Sequence, residues 1–380
     1  MSSSEKLRQF QNQFARRKDL IHLNNAGLAP ITEVARQKIH FWAERFYQEG
    51  FWTDHDYMND VLKSRQSLSR MIGCAFDEIA WFQSAAGAIN QFAFGIGLQA
   101  DDEVVMWDQE YSSHLYPWKE ACDQAKAHLK IVDSEKNLQT PTEKYLAALT
   151  KKTKVAAFSW VQFSSGARMD TQAVITECKK RGILVFVDVA QGLGIHPCQL
   201  WNWGVDALAG GSHKWLVSAV GVGYLAIRKE LAQKIKPRVI GSATYGTCDD
   251  PSDFACEPKR DASKFEPGSK QVLEITALGA SCELIHNVGV EIIEAEALRL
   301  AQKLRMGLHS QGHELLNPFG LEPQSPMVNF LPKNGMSLQQ AIETLNKNNI
   351  NFAKRGGGLR LSTHAFNTDL EIEKVLEILK

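Results

Sequence analysis

Lys214 is the one lysine in GVDALAGGSHKWLVSAVGVGYLAI (204–227), a stretch nearly free of charge. An amine held among apolar residues releases its proton more readily, because desolvation disfavours the charged form. A neutral amine adds to an aldehyde to give a Schiff base. Read alone, Lys214 is equally a lysine on a surface loop. Upstream, ILVFVDVAQ (183–191) ends an apolar run on Asp188 and Gln191. In open parallel sheets, ligands sit beyond the carboxyl ends of the strands. A carboxylate there is either paired or functional, since burying it alone is costly. The other reading of Asp188 is a cap on the next turn. The acid precedes the lysine by about one βα unit, an order that suits a pyridine cofactor bearing an aldehyde. The acid keeps the ring nitrogen protonated and the lysine holds the aldehyde carbon.

Two further segments could serve the same site. In WFQSAAGAINQFAFGIGL (81–98) a turn of small residues leads into a helix-like run. Backbone N–H groups at a helix start bind phosphate, and Ala85 and Ala86 stand there; a tightly packed helix start would look the same. In GLRLST (358–363) Arg360 sits in a strand-like alternation. It is either a solvated outward residue or a planar fork for a carboxylate. Arg355 is a second carboxylate contact or a surface residue.

These residues need a sheet to position them. EVVMW (103–107), KVAAFSW (154–160), ILVFVDVA (183–190), DALAG (206–210) and VGYLAIR (222–228) read as strands. Between them, 115–127, 142–152 and 170–182 carry apolar residues at helical spacing, the last ending at Gly182. Strand and helix in repetition imply an α/β fold with a mostly parallel central sheet covered on both faces. Past residue 230 the pattern changes to a polar stretch (242–269), one long helical pattern (270–310), strands at 327–332 and 358–363, and helices at 336–347 and 369–379. That predicts a small C-terminal α+β domain. The division expected is 16–240 for the large domain, with 1–15 and 241–380 forming the small one.

Lys+Arg and Asp+Glu both number 43, for a formal net charge of +0. This balance argues against capture of nucleic acid or of an anionic membrane surface. The N-terminus lacks the apolar core of a secretory signal, so a cytoplasmic location is expected. The seven cysteines are scattered, with no CxxC, and predict reduced thiols and no metal site. Cys248 and Cys256, the closest pair, are expected to have no catalytic role.

HLNNAGLAP (22–30), SAAGAIN (84–90), EYSSHLYPW (110–118), WVQFSSGARMD (160–170), VDVAQGLGIHP (187–197), GGSHKW (210–215), KFEPGS (264–269) and GLRLSTHAFNT (358–368) together resemble the class V aminotransferase family. Its members are pyridoxal phosphate (PLP) enzymes of fold type I and include cysteine desulfurases and isopenicillin N epimerase-like proteins. The DxAQ…SHK combination is the specific part. The resemblance implies that Lys214 forms the Schiff base and that Asp188 pairs with the pyridine nitrogen. Gln191 is then expected at the ring hydroxyl, and Ser212, His213, Ala85 and Ala86 at the phosphate. Ser269 matches a position that reaches the phosphate of a neighbouring subunit, which implies a homodimer. Arg360 matches the substrate-carboxylate arginine, and Asn25 lies in a segment lining the substrate pocket. Where relatives carry EHHxN, this chain has EYSSH. Ser112 replaces the ring-stacking histidine, leaving Tyr111 and His114 as candidates to stack on the ring, with His114 also expected at the substrate.

The implied function is a PLP-dependent enzyme acting on an amino acid, an aminotransferase or a lyase. An epimerase of the isopenicillin N type and a non-catalytic PLP-fold protein are the alternatives. Cysteine desulfurases of the family place a nucleophilic cysteine on a loop before the carboxylate arginine. Here only GlyGlyGlyLeu separates Arg355 from Arg360, which disfavours persulfide formation.

Overall fold

The computed structural model describes every residue except 16, 18, 51–53, 247–255, 317–323 and 334, and the side chains of 54 and 55 also lie outside it. The expected boundary at residue 16 and Cys248 are therefore outside the described residues.

A short strand, β1 (Ile21–His22), follows the N-terminal helix Ser3–Gln11. Seven strands then build the main sheet: β2 (Ile79–Phe82), β3 (Glu103–Trp107), β4 (His128–Val132), β5 (Thr153–Ser159), β6 (Leu184–Asp188), β7 (Ala207–Gly211) and β8 (Gly223–Ile227). Their spatial order is β2-β8-β7-β6-β5-β3-β4. The pairings from β7 through to β4 are parallel. Only β8 opposes its neighbours, so the sheet is mostly parallel, as the strand–helix repetition predicts.

Alternation along each strand feeds two apolar layers. Val105, Trp107, Phe158, Val185 and Val187 pack on one face with Ile275 and Leu278 of the helix Val272–Val288. Val104, Met106, Ala157 and Phe186 pack on the other with Phe92 and Trp118. Asp188 is two residues from Phe186 and so shares this second face. The helix Thr171–Lys180 shows how the layers are connected. Asp170 caps it by accepting from the Ala173 N–H at 2.9 Å, and Gly182 follows its end at φ +68°, as expected for a helix stop.

The C-terminal part carries β9 (Glu314–Leu315), β10 (Met327–Leu331), β11 (Ile350–Asn351), β12 (Ala353–Arg355) and β13 (Gly358–Ser362). Four of these form an antiparallel sheet in the order β12-β13-β10-β9, and β11 pairs in parallel with β1. Three expectations are corrected. The pattern at 270–310 is two helices, Val272–Val288 and Val290–Ser310, parted at Gly289. Its φ of +97° suits glycine alone. Residues 79–82 and 128–132 are strands that the sequence reading did not anticipate. Cys256 is disulfide-bonded, whereas Cys74, Cys122, Cys178, Cys198 and Cys282 are free. The expectation of reduced thiols throughout is therefore not met at Cys256.

Candidate active site

β6 ends at Asp188 beside Ser159 of β5, the two being partners in the ladder. The Ala190 N–H donates to Asp188 Oδ1 at 2.8 Å. Burial pushes this carboxyl up, opposed by the positive field of His114, the Ala190 N–H and Lys214. Next to it lies a second buried acid, Glu110. It accepts from the Ser159 N–H at 2.9 Å, the Ser159 hydroxyl, and Gln162 Nε2 at 3.0 Å. His114 Nδ1 meets its other oxygen at 2.9 Å. Burial alone would push the Glu110 carboxyl up, but the hydrogen bonds and charge of His114 and its other partners outweigh that and hold it low.

Lys214 follows β7 in the loop that turns the chain into β8. Burial lowers its pKa from 10.5 to about 8; Asp188 opposes the shift, and Arg360 and Arg355 add to it. Its Nζ lies 5.5 Å from the centre of the Tyr111 ring. His213 is lowered to about 4, mainly by burial and further by Lys214. Gln191 is fixed at both ends of its amide. Trp215 Nε1 donates to its Oε1 at 2.8 Å, and its Nε2 donates to the Ala26 carbonyl at 2.9 Å. One amide hydrogen remains for a ligand.

The helix Ala85–Gly95 starts at the same edge. Its cap, Ser84, accepts from the Gly87 N–H at 3.2 Å, while the N–H groups of Ala85 and Ala86 have no intrahelical acceptor. A glycine allows this start to lie against β8. A Cβ on Gly223 would come 2.2 Å from the Ser84 carbonyl carbon and 2.5 Å from the Ala85 nitrogen.

Arg360 comes from the other sheet. On β13 it faces Asn329 of β10 and Ala353 of β12 and is 2% exposed. It donates to the Phe163 carbonyl and, at 3.4 Å, to Asn24 Oδ1. Among the described residues its buried Nε has no partner and no carboxylate pairs with it. Burial lowers its pKa to about 10, and Arg355 adds to that. A buried guanidinium lacking an acid is costly to maintain, and an anionic ligand would repay that cost. Arg355 ends β12, and Gly356 and Gly357 close the hairpin at φ +56° and +83°, the pattern of a two-residue type I′ turn.

These groups converge on one cavity of about 300 Å³ whose lining includes Ala85, Ala86, Asp188, Gln191, His213, Lys214 and Arg360. Tyr111 and Arg355 line it as well. Four expected residues stand elsewhere. The Ser212 hydroxyl donates to the carbonyls of Ala219 and Val222, at 3.1 Å for the latter. It is spent on closing its own loop and is turned from the cavity. Asn25 donates to the Ser362 carbonyl at 2.8 Å, so the neighbouring Asn24 is the one at Arg360. His114 is wholly buried behind the wall, so of the two candidates it is Tyr111 that lines the cavity. Ser269 lines a separate cavity of about 570 Å³ that shares only Ser84 with the first. Ser159, Phe163 and Asn24 were not anticipated as site residues, although Ser159 ends an apolar strand and Asn24 and Phe163 lie in the HLNNAGLAP and WVQFSSGARMD segments.

Among the described residues no three His, Cys, Asp or Glu side chains are grouped to hold a metal ion, and no helix is long and apolar enough to cross a membrane. An uncharacterized aminotransferase of Bacillus subtilis is 26% identical over 325 residues, covering 83% of this chain and 81% of its own. The isopenicillin N epimerase of Amycolatopsis lactamdurans is 25% identical over 337 residues, covering 83% of each. Two solved structures share the fold at a TM-score of 0.89. One is an apo cysteine desulfurase from Thermococcus onnurineus NA1, 19% identical, covering 98% of this chain and 96% of that one. The other is a C-DES mutant with glycine covalently linked to its PLP cofactor, 18% identical, covering 97% and 98%. The family model for class V aminotransferases matches residues 33–374. By that match, and with Lys214, Asp188 and Arg360 gathered at one cavity, the chain belongs to the class V aminotransferase family.

Proposed function

We propose that the protein is a PLP-dependent enzyme acting on the amino group of an amino acid, as an aminotransferase or a lyase. The carrying observation is Lys214, an amine lowered to about 8 in a cavity that also holds a buried acid and a buried arginine lacking a carboxylate. PLP is the cofactor these residues fit. The free N–H groups at Ala85 and Ala86, with His213, would hold the phosphate. Asp188 would take the ring nitrogen, the spare Gln191 amide hydrogen the ring hydroxyl, and Lys214 the aldehyde. When bound, the cofactor supplies an electron sink for negative charge at the substrate Cα.

The chain's own residues do the rest. Arg360 binds the substrate carboxylate and, anchored on Phe163 and Asn24, sets the direction of the Cα–H bond. Lys214, once free, removes the Cα proton; a pKa near 8 makes it a base at neutral pH. Asp188 holds a proton at the ring nitrogen. The Gly356–Gly357 turn leaves no loop for a nucleophilic cysteine before Arg360, which supports the reading against persulfide formation. The position of Ser269, outside the Lys214 cavity of its own chain, fits a homodimer in which it serves the neighbouring site.

One observation favours epimerisation as a second reading. Tyr111, a hydroxyl-bearing ring, lines the same cavity as Lys214, whose Nζ lies 5.5 Å from the ring centre, and a second proton donor is what inversion at Cα requires. His114, buried behind the wall, is withdrawn from that role.

The test is an absorbance spectrum of the PLP-treated protein before and after borohydride, followed by peptide mapping. Reduction is expected to fix the cofactor on Lys214; a label elsewhere, or none, overturns the reading. Products from an amino-acid screen then separate keto acid, eliminated fragment and inverted substrate. Gly223→Ala gives an independent check on the phosphate end. The added methyl pushes the helix start off β8, and PLP affinity is expected to fall about tenfold, as for loss of a hydrogen bond to a charged group. Unchanged affinity in a binding titration would remove the helix start from the site.

A further inference from the structure

Arg355 is the charge in the Lys214 cavity that the mechanism leaves unused. Among the described lining residues Asp188 is the only acid, against Lys214, Arg355 and Arg360. His213, lowered to about 4, is neutral at pH 7. Asp188 would go to the ring nitrogen, Lys214 to the aldehyde and Arg360 to the substrate carboxylate. Arg355 then stands without a counter-ion. Among the described residues its side chain makes one hydrogen bond, from a terminal guanidinium nitrogen to the Lys354 carbonyl at 2.9 Å, and no carboxylate pairs with it.

The sheet fixes its placement. β12 and β13 pair Ala353 with Arg360 and Arg355 with Gly358. Residues directly opposite, and residues two apart along a strand, share a face. Both arginine side chains therefore rise from the same side of the hairpin. They are diagonal neighbours, a relation that spans ~7–8 Å between strands. Both are also tied to the segment that follows β5. Arg360 donates to the Phe163 carbonyl. Asn329, itself buried, donates from Nδ2 to the Ser164 carbonyl at 2.8 Å and to the Arg355 carbonyl at 2.9 Å. The two differ in depth, because Arg360 is buried and Arg355 is exposed at the strand end. Arg355 adds to the burial that lowers both Lys214 and Arg360, as a neighbouring cation should.

The geometry points to a substrate with two anionic groups: an amino acid whose short side chain ends in a carboxylate or a similar anion, held there by Arg355 while Arg360 holds the α-carboxylate. The inference rests on the PLP reading and narrows its substrate class. Room argues for a short side chain. The cavity of about 300 Å³ lies at the small end of ligand pockets, which run from about 300 to 1,000 Å³, and it has to take cofactor and amino acid together. Charge argues for the anion. A guanidinium offers a planar fork that matches two carboxylate oxygens. Two such forks on one face repel each other, and a ligand with an anion at each end relieves both. A neutral side chain would leave the repulsion in place.

The test compares succinate with succinamate, its half-amide, which matches it in size and lacks one charge. Neither carries an amine, so neither reacts, and calorimetry on the PLP-treated protein reads their binding. Succinate is expected to bind about tenfold more tightly, between the effect of an exposed ion pair and that of a buried hydrogen bond to a charge. In Arg355→Met the preference should fall to nearly one. Because the side chain is exposed, the variant is expected to fold. With amino acids, the kcat/KM ratio of aspartate to asparagine should be about tenfold in the unaltered protein and near one in Arg355→Met. Equal binding of succinate and succinamate to the unaltered protein overturns the proposal. So does a preference that survives in Arg355→Met, and tighter binding of glutarate, one carbon longer, overturns the short side chain. If borohydride fixes no PLP on Lys214, the cofactor reading itself fails. The succinate comparison does not depend on that result, so the two failures are distinguished.

Discussion

Lys214→Met is expected to leave a folded protein whose turnover is lower by about 10⁴-fold, the upper range for loss of a positioned general base. The cofactor should bind reversibly, with nothing fixed by borohydride. Methionine keeps the unbranched stem and removes the amine. The stability change follows from the lysine's pKa of about 8. Between about 8 and 10.5 the unfolded chain carries a proton that the folded chain lacks, so the wild-type fold gains stability as pH rises through that window. Below it, the buried ammonium is a standing cost. In the cofactor-free state the variant should therefore be the more stable protein at pH 7, and the advantage should shrink by pH 10. Urea unfolding at the two pH values measures this. Turnover within tenfold of wild type would remove Lys214 from the chemistry, and a variant less stable at pH 7 than at pH 10, relative to wild type, would contradict the buried amine.

Arg360→Met should lower kcat/KM for amino acids by about 100-fold, mostly through KM. Hydrogen bonds to a charged partner contribute about 1.5–3 kcal/mol. An amine lacking the carboxylate is expected to lose almost nothing, so the ratio of an amino acid to its decarboxylated amine isolates the contact. Because Arg360 is buried with no acid beside it, the substitution should not lower the melting temperature of the cofactor-free protein. Equal losses for the two substrates would show that the arginine acts through the shape of the site.

The central features were legible because they obey period and order. β6 reads as an apolar run ending on an acid, and Lys214 as a charge in a stretch without charge. Direction and side-chain aim were not legible. VGYLAIR announces a strand but not that β8 runs against its neighbours, because the loop carrying Lys214 reverses the chain without a distinctive turn sequence. Asn24 and Asn25 are chemically identical; the Ser362 pairing decides which one reaches Arg360, and that pairing is made from the far end of the chain. Ser212 sits in the motif, yet the carbonyls of its own loop compete for its one proton. The break at Gly289 hides in a continuous helical period, since a lone glycine is tolerated inside many helices.

The N-terminal segment, which brings Asn24 to Arg360 and the Ala26 carbonyl to Gln191, is held in place by residues more than 330 positions later, as in the Asn25–Ser362 bond at a separation of 337. A ribosome makes this segment first and its partners nearly last. Once residue 288 is made, the chain holds every strand of the main sheet and the helix that covers one face, with Lys214 and Asp188, but the carboxylate clamp has no anchor until β13 exists. Assembly of the substrate end is thus timed to chain completion, and contacts of such long range form late in folding. A chain truncated before β13 would lack Arg360 and the Ser362 anchor of this segment, and with them the seat for a substrate carboxylate.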